Sequence, residues 1–282
     1  MVDTLGMVRG ARRRGTPGVA SPESDGCALP NLVVIGAMKA GTSALHRYLG
    51  MHPQIAMSTP KELNFFFGQR PASGERAWAG QEATEEGRNG SAGNWYRGRE
   101  WYARHWPAAS DVRGESSPGY TSPSFPEVAS RMAGVIPSTR LVFVVRDPID
   151  RAVSQYRHHQ SDGSEVRPLE EALLDPRSQY LSRGCYYERL MPFLQRFGRR
   201  QIAIAAHEEL LVDRRATLRR LFGWLGVDGD FWSSDLGHEL HWSNGAPPQV
   251  PPRLRAALVE ALAGDVDRFR EVAGRDFPGW SL

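Results

Sequence analysis

The chain has 282 residues, of which 40% are hydrophobic and 10% are aromatic. A chain of this length can bury one sizeable core, so we expect a single domain. The formal net charge is only +3, and no dense basic stripe is interleaved with aromatic residues, so a nucleic-acid partner is not expected.

The composition of residues 1–30, which is rich in Gly, Ser and Pro, predicts a disordered leader. Its four arginines are not followed by the apolar segment of a secretory signal, and a transit peptide is the alternative interpretation. The two cysteines, Cys27 and Cys185, are too few for a disulfide framework, so we expect a cytoplasmic location. The longest apolar run falls far short of the ~20 residues that span a bilayer, so no membrane span is expected.

The first strong strand signal is the apolar run NLVVIG at residues 31–36, which is typical of a parallel strand covered on both faces. Gly41 and Thr42 follow in a turn, and apolar residues then recur at helical spacing. The pattern is a strand, a glycine loop and the amino terminus of a helix. A second apolar run, ELNFFF at 62–67, precedes a stretch of low hydrophobicity at 68–93, which predicts a mobile insertion.

The strand–loop–helix pattern recurs where the run RLVFVVRDP at 140–148 leads into the helical sequence IDRAVSQYRHHQ, with Pro148 placed to open the helix. The other predicted elements are a helix at 94–107, a short strand at 111–120, a helix at 188–198, a strand running into a loop at 201–210, a helix at 214–227, and two helical stretches after the Pro-rich loop at 247–252. Alternating strands and helices predict an α/β fold with a mostly parallel central sheet, formed by residues 31–282 as one domain.

The glycine loop GAMKAGTS at residues 36–43 predicts an anion site, since a helix amino terminus presents N–H groups and the positive end of its dipole. Its lysine precedes the second glycine, whereas the nucleoside triphosphatase pattern GxxxxGK[ST] has the lysine directly after it. Lys39 and Lys61 are the only lysines among 35 Lys and Arg residues. Each therefore indicates a place where a compact ammonium group is needed and the wide guanidinium does not substitute.

The loop resembles the 5′-phosphosulfate loop of sulfotransferases that use 3′-phosphoadenosine 5′-phosphosulfate (PAPS), in the KxGTS form of the branch related to heparan sulfate N- and 3-O-sulfotransferases. Further segments resemble the same family in the same order: STPKELNFFF at 58–67, GESSPGY at 114–120, VFVVRDPIDRAVSQY at 142–156, and the segment that begins GCYYERL at 184. The resemblance covers roughly residues 31–226 and implies a three-layer, P-loop-like fold with helices flanking the sheet.

The resemblance implies a sulfotransferase that moves a sulfonate group from PAPS to a hydroxyl or amine of a small-molecule, lipid or carbohydrate acceptor, with no metal required. Lys39 would meet the bridging oxygen between sulfur and phosphorus, Glu62 would be the general base, and Lys61 would lie close to the sulfonate oxygens. The implied cofactor-binding residues are Lys39, Ala40, Gly41, Thr42 and Ser43 at the 5′-phosphosulfate, Arg146 and Ser154 at the 3′-phosphate, and Tyr186.

Several of these roles have alternatives. Arg146 could instead form a salt bridge to Asp147 or Asp150, and Glu62 could be an ordinary surface residue. The rival bases are His105, His158 and His159, because a related cytosolic branch uses histidine. Glu115 and Tyr120 are candidates for shaping the acceptor pocket.

The sequence departs from the family pattern in two places. Ser116 stands where relatives have a lysine, and the segment HWSNGAPP at 241–248 replaces the basic adenosine loop and disulfide of glycan-modifying relatives. A tight glycan-type acceptor site is therefore in doubt. A P-loop nucleotide kinase or triphosphatase and a catalytically idle PAPS-binding protein are the alternative functions.

Overall fold

The computed structural model describes residues 28–68, 93–107, 109–238, 240 and 248–282. Residues 1–27 of the predicted leader, 69–92 of the predicted insertion and most of the HWSNGAPP segment lie outside the described residues. The last residues of that leader are described and contact the domain: Pro30 is buried, and the carbonyl of Leu29 accepts a hydrogen bond from Arg113 Nε at 3.0 Å.

A parallel sheet forms the centre of the described structure. Its five strands are β1 (Leu32–Gly36), β2 (Ile55–Met57), β3 (Val112–Ser116), β4 (Arg140–Val145) and β5 (Ile202–Ala206), in the spatial order β2-β3-β1-β4-β5. The apolar side chains of β1 and of β4 from Leu141 onward are completely buried, as expected for strands covered on both faces. The predicted α/β fold with a mostly parallel central sheet is confirmed.

Ten α-helices flank this sheet within the described ranges. They are α1 (Thr42–Gly50), α2 (Gly98–Ala103), α3 (Val128–Val135), α4 (Pro148–Ser161), α5 (Leu169–Leu174), α6 (Gln179–Ser182), α7 (Tyr186–Leu194), α8 (His207–Val212), α9 (Arg214–Leu225) and α10 (Pro252–Ala273). In this part of the chain, none of them is both long and apolar enough to cross a bilayer.

Several elements differ from the sequence prediction. Strand β2 was not predicted, and the apolar ELNFFF run at 62–67, for which no element was predicted, is an irregular segment whose three phenylalanines are buried. The segment 201–210 enters helix α8 rather than a loop, and the predicted helix at 94–107 is a short 3-10 turn followed by α2. The two helical stretches expected at the carboxyl end are one helix, α10.

The strand order determines where the candidate site lies. All strands run parallel, so their carboxyl ends meet at one edge of the sheet, together with the loops that follow β1, β2, β3 and β4. The chain continues from β1 toward β2 on one side of the sheet, and β4 and β5 lie on the other side. Ligands of open parallel sheets bind outside the carboxyl ends of the strands at such a switch point.

Helix α10 supports this edge from outside the sheet. Its apolar residues from Leu254 to Phe269 are buried along one face, and Phe269 packs against Tyr186 with ring centroids 5.5 Å apart. The carboxylate of Asp265 accepts hydrogen bonds from the backbone N–H groups of Tyr187 at 3.0 Å and Glu188 at 3.1 Å. A side chain of α10 therefore satisfies the first-turn N–H groups of α7.

Gly41 occupies a position that a side chain would strain. Its backbone has a φ of 96°, and a Cβ atom added there would lie 2.7 Å from His207 Nδ1. Glycine is therefore favoured both by the left-handed conformation and by the close approach of the His207 side chain at the start of α8.

We expect Gly41→Ala to lower the free energy of unfolding by about 1–3 kcal/mol, because alanine is strained in the left-handed region. Thermal unfolding of the variant should shift down by several degrees. Gly50→Ala is the matched control: it lies at the end of α1, and its added Cβ would make an ordinary contact at 3.5 Å with Met57. Equal stability of the two variants would contradict the prediction.

Candidate active site

The loop between β1 and α1 forms the centre of the site. It contains Lys39, whose backbone φ is 66°, and Gly41, which is the N-cap of α1. Within the described residues, no side chain caps this helix, so the N–H groups of Thr42 and Ser43 are left for another acceptor. The predicted loop residues 39–43 thus form a helix terminus that favours an anion.

Cationic side chains converge on Lys39. Burial lowers the pKa of Lys39, and the charges of Arg146, Lys61 and Arg157 lower it further, while Asp162 has a smaller opposing effect. Arg146 directly follows β4, Lys61 lies in the segment after β2, and Arg157 lies on α4. The site therefore carries an excess of positive charge, which a bound anion would stabilise.

Arg146 follows β4 and is held through its backbone. The buried hydroxyl of Tyr186 donates to the Arg146 carbonyl at 2.8 Å and accepts from its N–H group at 3.3 Å. The guanidinium lies 3.8 Å from the exposed carboxylate of Asp150, a weak surface contact. Ser154 lies half-buried on α4, two turns beyond the start of the helix. Tyr186 was predicted to bind the cofactor. In the structure, its hydroxyl holds the backbone of Arg146 in position.

Lys61 and Glu62 lie side by side after β2. Lys61 Nζ is 2.6 Å from Glu62 Oε1, and the Glu62 side chain is 43% exposed. The Lys61 carbonyl accepts hydrogen bonds from Ser58 Oγ at 3.2 Å and from the Ser116 N–H group at 3.4 Å. Lys61 is therefore paired with its neighbour Glu62, whose carboxylate remains accessible, and its charge also lowers the pKa of Lys39.

Glu115 lies beneath this segment and is fully buried. It accepts hydrogen bonds from the hydroxyls of Tyr120 at 2.7 Å, Ser117 at 2.8 Å and Tyr102. Burial raises the pKa of Glu115, and these hydrogen bonds oppose the rise. The Tyr120 hydroxyl also accepts from the Phe65 N–H group at 2.9 Å. Glu115 and Tyr120 therefore fix the backbone beside Glu62 from within the core.

A cavity of about 380 Å³, a volume that includes its open mouth, lies beside the loop of Lys39. Glu62, Phe67, Phe125 and Arg183 are among the residues that line it, together with Met38 next to Lys39. A candidate base, an aromatic surface and a second cationic group thus share one cavity.

Comparison with known proteins identifies the family. A sequence model described as Sulfotransferase family matches residues 30–232, more than half of the chain. The chain belongs to the sulfotransferase family. A crystal structure of a sulfotransferase from Alicyclobacillus acidocaldarius matches with a TM-score of 0.71 and 29% identity, covering 90% of this chain and 100% of the other. The predicted fold, family and enzyme class are confirmed.

Two curated relatives of this sulfotransferase are similar over much of its length. A bifunctional heparan sulfate N-deacetylase/N-sulfotransferase 1 of Caenorhabditis elegans is 28% identical over 73% of the chain, and a heparan sulfate glucosamine 3-O-sulfotransferase 3B1 of Mus musculus is 26% identical over 89%. The chain spans 23% and 65% of the lengths of these two relatives. Membership of the family implies PAPS as the co-substrate.

Among the described residues, no group of three or more His, Cys, Asp or Glu side chains is arranged to hold a metal ion. That the sulfotransferase needs no metal stays a prediction.

The three histidines predicted as rival bases differ in their surroundings. His105 packs against Trp101 and Trp106, and its Nδ1 lies 3.0 Å from the Tyr102 carbonyl. His159 contacts the Tyr180 hydroxyl at 2.9 Å. His158 is different: its Nε2 lies 4.0 Å from the Asp162 carboxylate, and its pKa is lowered by burial and by the charge of Lys39. Of the three, His158 is the one that remains a rival to Glu62.

Two residues of this sulfotransferase site were not predicted. His46 lies on α1 with its Nδ1 3.0 Å from Ser116 Oγ, the serine that stands in place of the family lysine. It follows Thr42 and Ser43 at helical spacing, which is a signal that could have indicated it. Arg183 directly precedes the GCYYERL segment that begins at Gly184. In an arginine-rich sequence, nothing indicates that this arginine is buried.

We expect His46 to make the folded state less stable in acid. Burial and the charge of Lys61 lower the pKa of His46 from 6.5 to about 4. Between these values the unfolded chain binds a proton that the folded chain does not, so stability falls as the pH falls.

The measurement compares the thermal midpoints of the wild type and His46→Gln at pH 7 and pH 5. The variant should lose less of its midpoint on acidification, because glutamine does not titrate. His238→Gln, at an exposed position, should follow the wild type. If the thermal midpoints of His46→Gln and of the wild type fall equally between pH 7 and pH 5, His46 is not responsible for the loss of stability.

Proposed function

We propose that this protein transfers a sulfonate group from PAPS to a hydroxyl or amine of an acceptor. The observation that carries the proposal is the convergence of Lys39, Lys61 and Arg146 around an uncapped helix terminus at the carboxyl edge of the sheet. Family membership independently favours this function over the alternative of a nucleotide kinase or triphosphatase. The alternative of a catalytically idle PAPS-binding protein is left to a turnover assay.

The residues fit PAPS in the chemistry of their donors. PAPS carries anionic groups at its 5′ and 3′ positions and supplies the sulfonate together with a phosphate leaving group. Lys39 and the N–H groups at residues 41–43 would bind the 5′-phosphosulfate, and Arg146 with Ser154 would bind the 3′-phosphate. Tyr186 would keep the Arg146 backbone in place.

The chemistry assigned to the side chains is charge stabilisation and proton transfer. Glu62 accepts the proton of the acceptor while the acceptor oxygen or nitrogen bonds to sulfur and the bond from sulfur to the phosphate oxygen breaks, leaving its electron pair on that oxygen. Lys39 stabilises the charge that grows on the leaving oxygen, and Lys61 stabilises the sulfonate oxygens. The products are a sulfated acceptor and adenosine 3′,5′-bisphosphate.

The relatives support transfer to either nitrogen or oxygen, since their names describe an N-sulfotransferase and a 3-O-sulfotransferase of heparan sulfate. The substitution of Ser116 for the family lysine favours an acceptor other than theirs. A cytoplasmic location stays a prediction that rests on the low cysteine content.

The donor site predicts a preference between nucleotides. Adenosine 3′,5′-bisphosphate should bind at least about tenfold more tightly than 5′-AMP, because a charge-assisted hydrogen bond contributes roughly 1.5–3 kcal/mol. Arg146→Met should remove most of this preference. Calorimetric titration of both nucleotides provides the test, with Arg219→Met on the surface of α9 as a control for lost charge. Equal affinity of the wild type for both nucleotides would contradict the assignment of Arg146 and Ser154 to the 3′-phosphate of PAPS.

The base assignment predicts the effect of Glu62→Gln. Glutamine keeps the size of the side chain but cannot accept a proton, so single-turnover sulfonation should fall by ~10²–10⁴ while nucleotide affinity stays near that of the wild type. His158→Ala is the comparison, because His158 is the histidine near Lys39. If Glu62→Gln keeps its rate and His158→Ala loses it, the histidine is the base.

A further inference from the structure

Arg183 is a buried cation that has no counter-ion among the described residues. Only 5% of the residue is exposed. Its Nε donates to Gln179 Oε1, and its Nη2 donates to Ser122 Oγ at 3.1 Å. Both partners are neutral, so these hydrogen bonds satisfy donors without compensating the charge.

The surroundings of Arg183 add positive charge. Burial and the charges of Arg151 and Arg189 lower the pKa of Arg183 to about 9, with a smaller opposing effect from Glu62. Arg151 is itself completely buried and is hydrogen-bonded to the Gln155 side chain at 2.7 Å and to the Tyr180 carbonyl. An uncompensated buried cation is costly, and an anionic ligand would remove that cost.

The same cavity contains the other parts of a binding site. Arg183 and Glu62 both line it, so a group held by the guanidinium lies in the same space as the proposed base. Phe67 and Phe125 also line it, stacked with centroids 4.0 Å apart and ring planes within 3° of parallel. The cavity thus combines a cation, an aromatic wall and a carboxylate.

We propose that Arg183 binds an oxyanion group, a carboxylate or a phosphate, on a small acceptor whose flat apolar part packs against Phe67 and Phe125 and whose hydroxyl faces Glu62. The planar guanidinium suits such groups, since it can donate two parallel hydrogen bonds. The inference rests on the proposed function, in which Glu62 serves the acceptor. It assigns Arg183 to acceptor specificity, separate from the donor contacts of Lys39 and Arg146.

The test uses a matched pair of probes, 4-hydroxyphenylacetate and its methyl ester, which share a ring and a hydroxyl but differ in charge. Each is titrated calorimetrically into protein saturated with adenosine 3′,5′-bisphosphate. The wild type should bind the acid about tenfold or more tightly than the ester, as expected for a charge-assisted contact. Arg183→Met should abolish this preference, Arg183→Lys should keep part of it, and the exposed Arg177→Met should leave it unchanged.

Failure of the inference differs from failure of the donor assignment. The inference is overturned if the wild type binds the acid no better than the ester, including no binding of either, or if the preference survives in Arg183→Met. It is also overturned if Arg183→Met unfolds cooperatively but has lost its affinity for adenosine 3′,5′-bisphosphate, because Arg183 would then serve the donor. Absence of nucleotide binding by the wild type would instead reject the proposed function. The wild-type comparison decides the inference even if Arg183→Met does not fold.

Discussion

The carboxylate of Glu115 is the interaction on which the acceptor side of the site depends. It is fully buried and can only accept hydrogen bonds when ionised, so the hydroxyls of Ser117 and Tyr120 must donate to it. Their lone pairs are then left for the N–H groups of Asn64 and Phe65. One buried carboxyl group thus orients two hydroxyls, and these fix an irregular segment that has no sheet partner of its own. Strand β3 in this way determines where the segment of Lys61 and Glu62 lies.

The proposed donor side of the site contains like charges that repel one another, and the packing of the apolar core keeps them in place. Lys39, Lys61 and Arg146 repel one another, and no folding principle favours bringing them together. They meet because they follow three parallel strands, and the central strands β1 and β4 are fixed by complete burial of their apolar side chains. Such local unfavourable interactions are expected at functional sites, where a ligand supplies the missing charge.

The sequence predicted those elements whose cause is local. The apolar runs of β1 and β4 and the helices that follow them have short-range signals and form as expected, and the predicted turn ends at Gly41, with Thr42 opening α1. Strand β2 is only three residues long, and the phenylalanines of the 62–67 run are buried by contacts with distant rings, such as Phe65 on Tyr102. His46 and Arg183 belong to the site because of residues far away in the chain, Ser116 and Ser122. Such long-range pairs leave no periodic trace in a single sequence.

The support that α10 gives to α7 has a consequence for where the domain ends. The family model matches residues 30–232, yet Asp265 caps the helix that begins at Tyr186, and Tyr186 holds the backbone of Arg146. The Ser281 N–H group donates to Asp147, the residue after that arginine. The stretch that the family model matches is therefore shorter than the stretch that holds the candidate site together. A fragment that ends at residue 232 would keep every motif of the candidate site but lose the contacts of Asp265 and Ser281 that hold the segments around Tyr186 and Asp147.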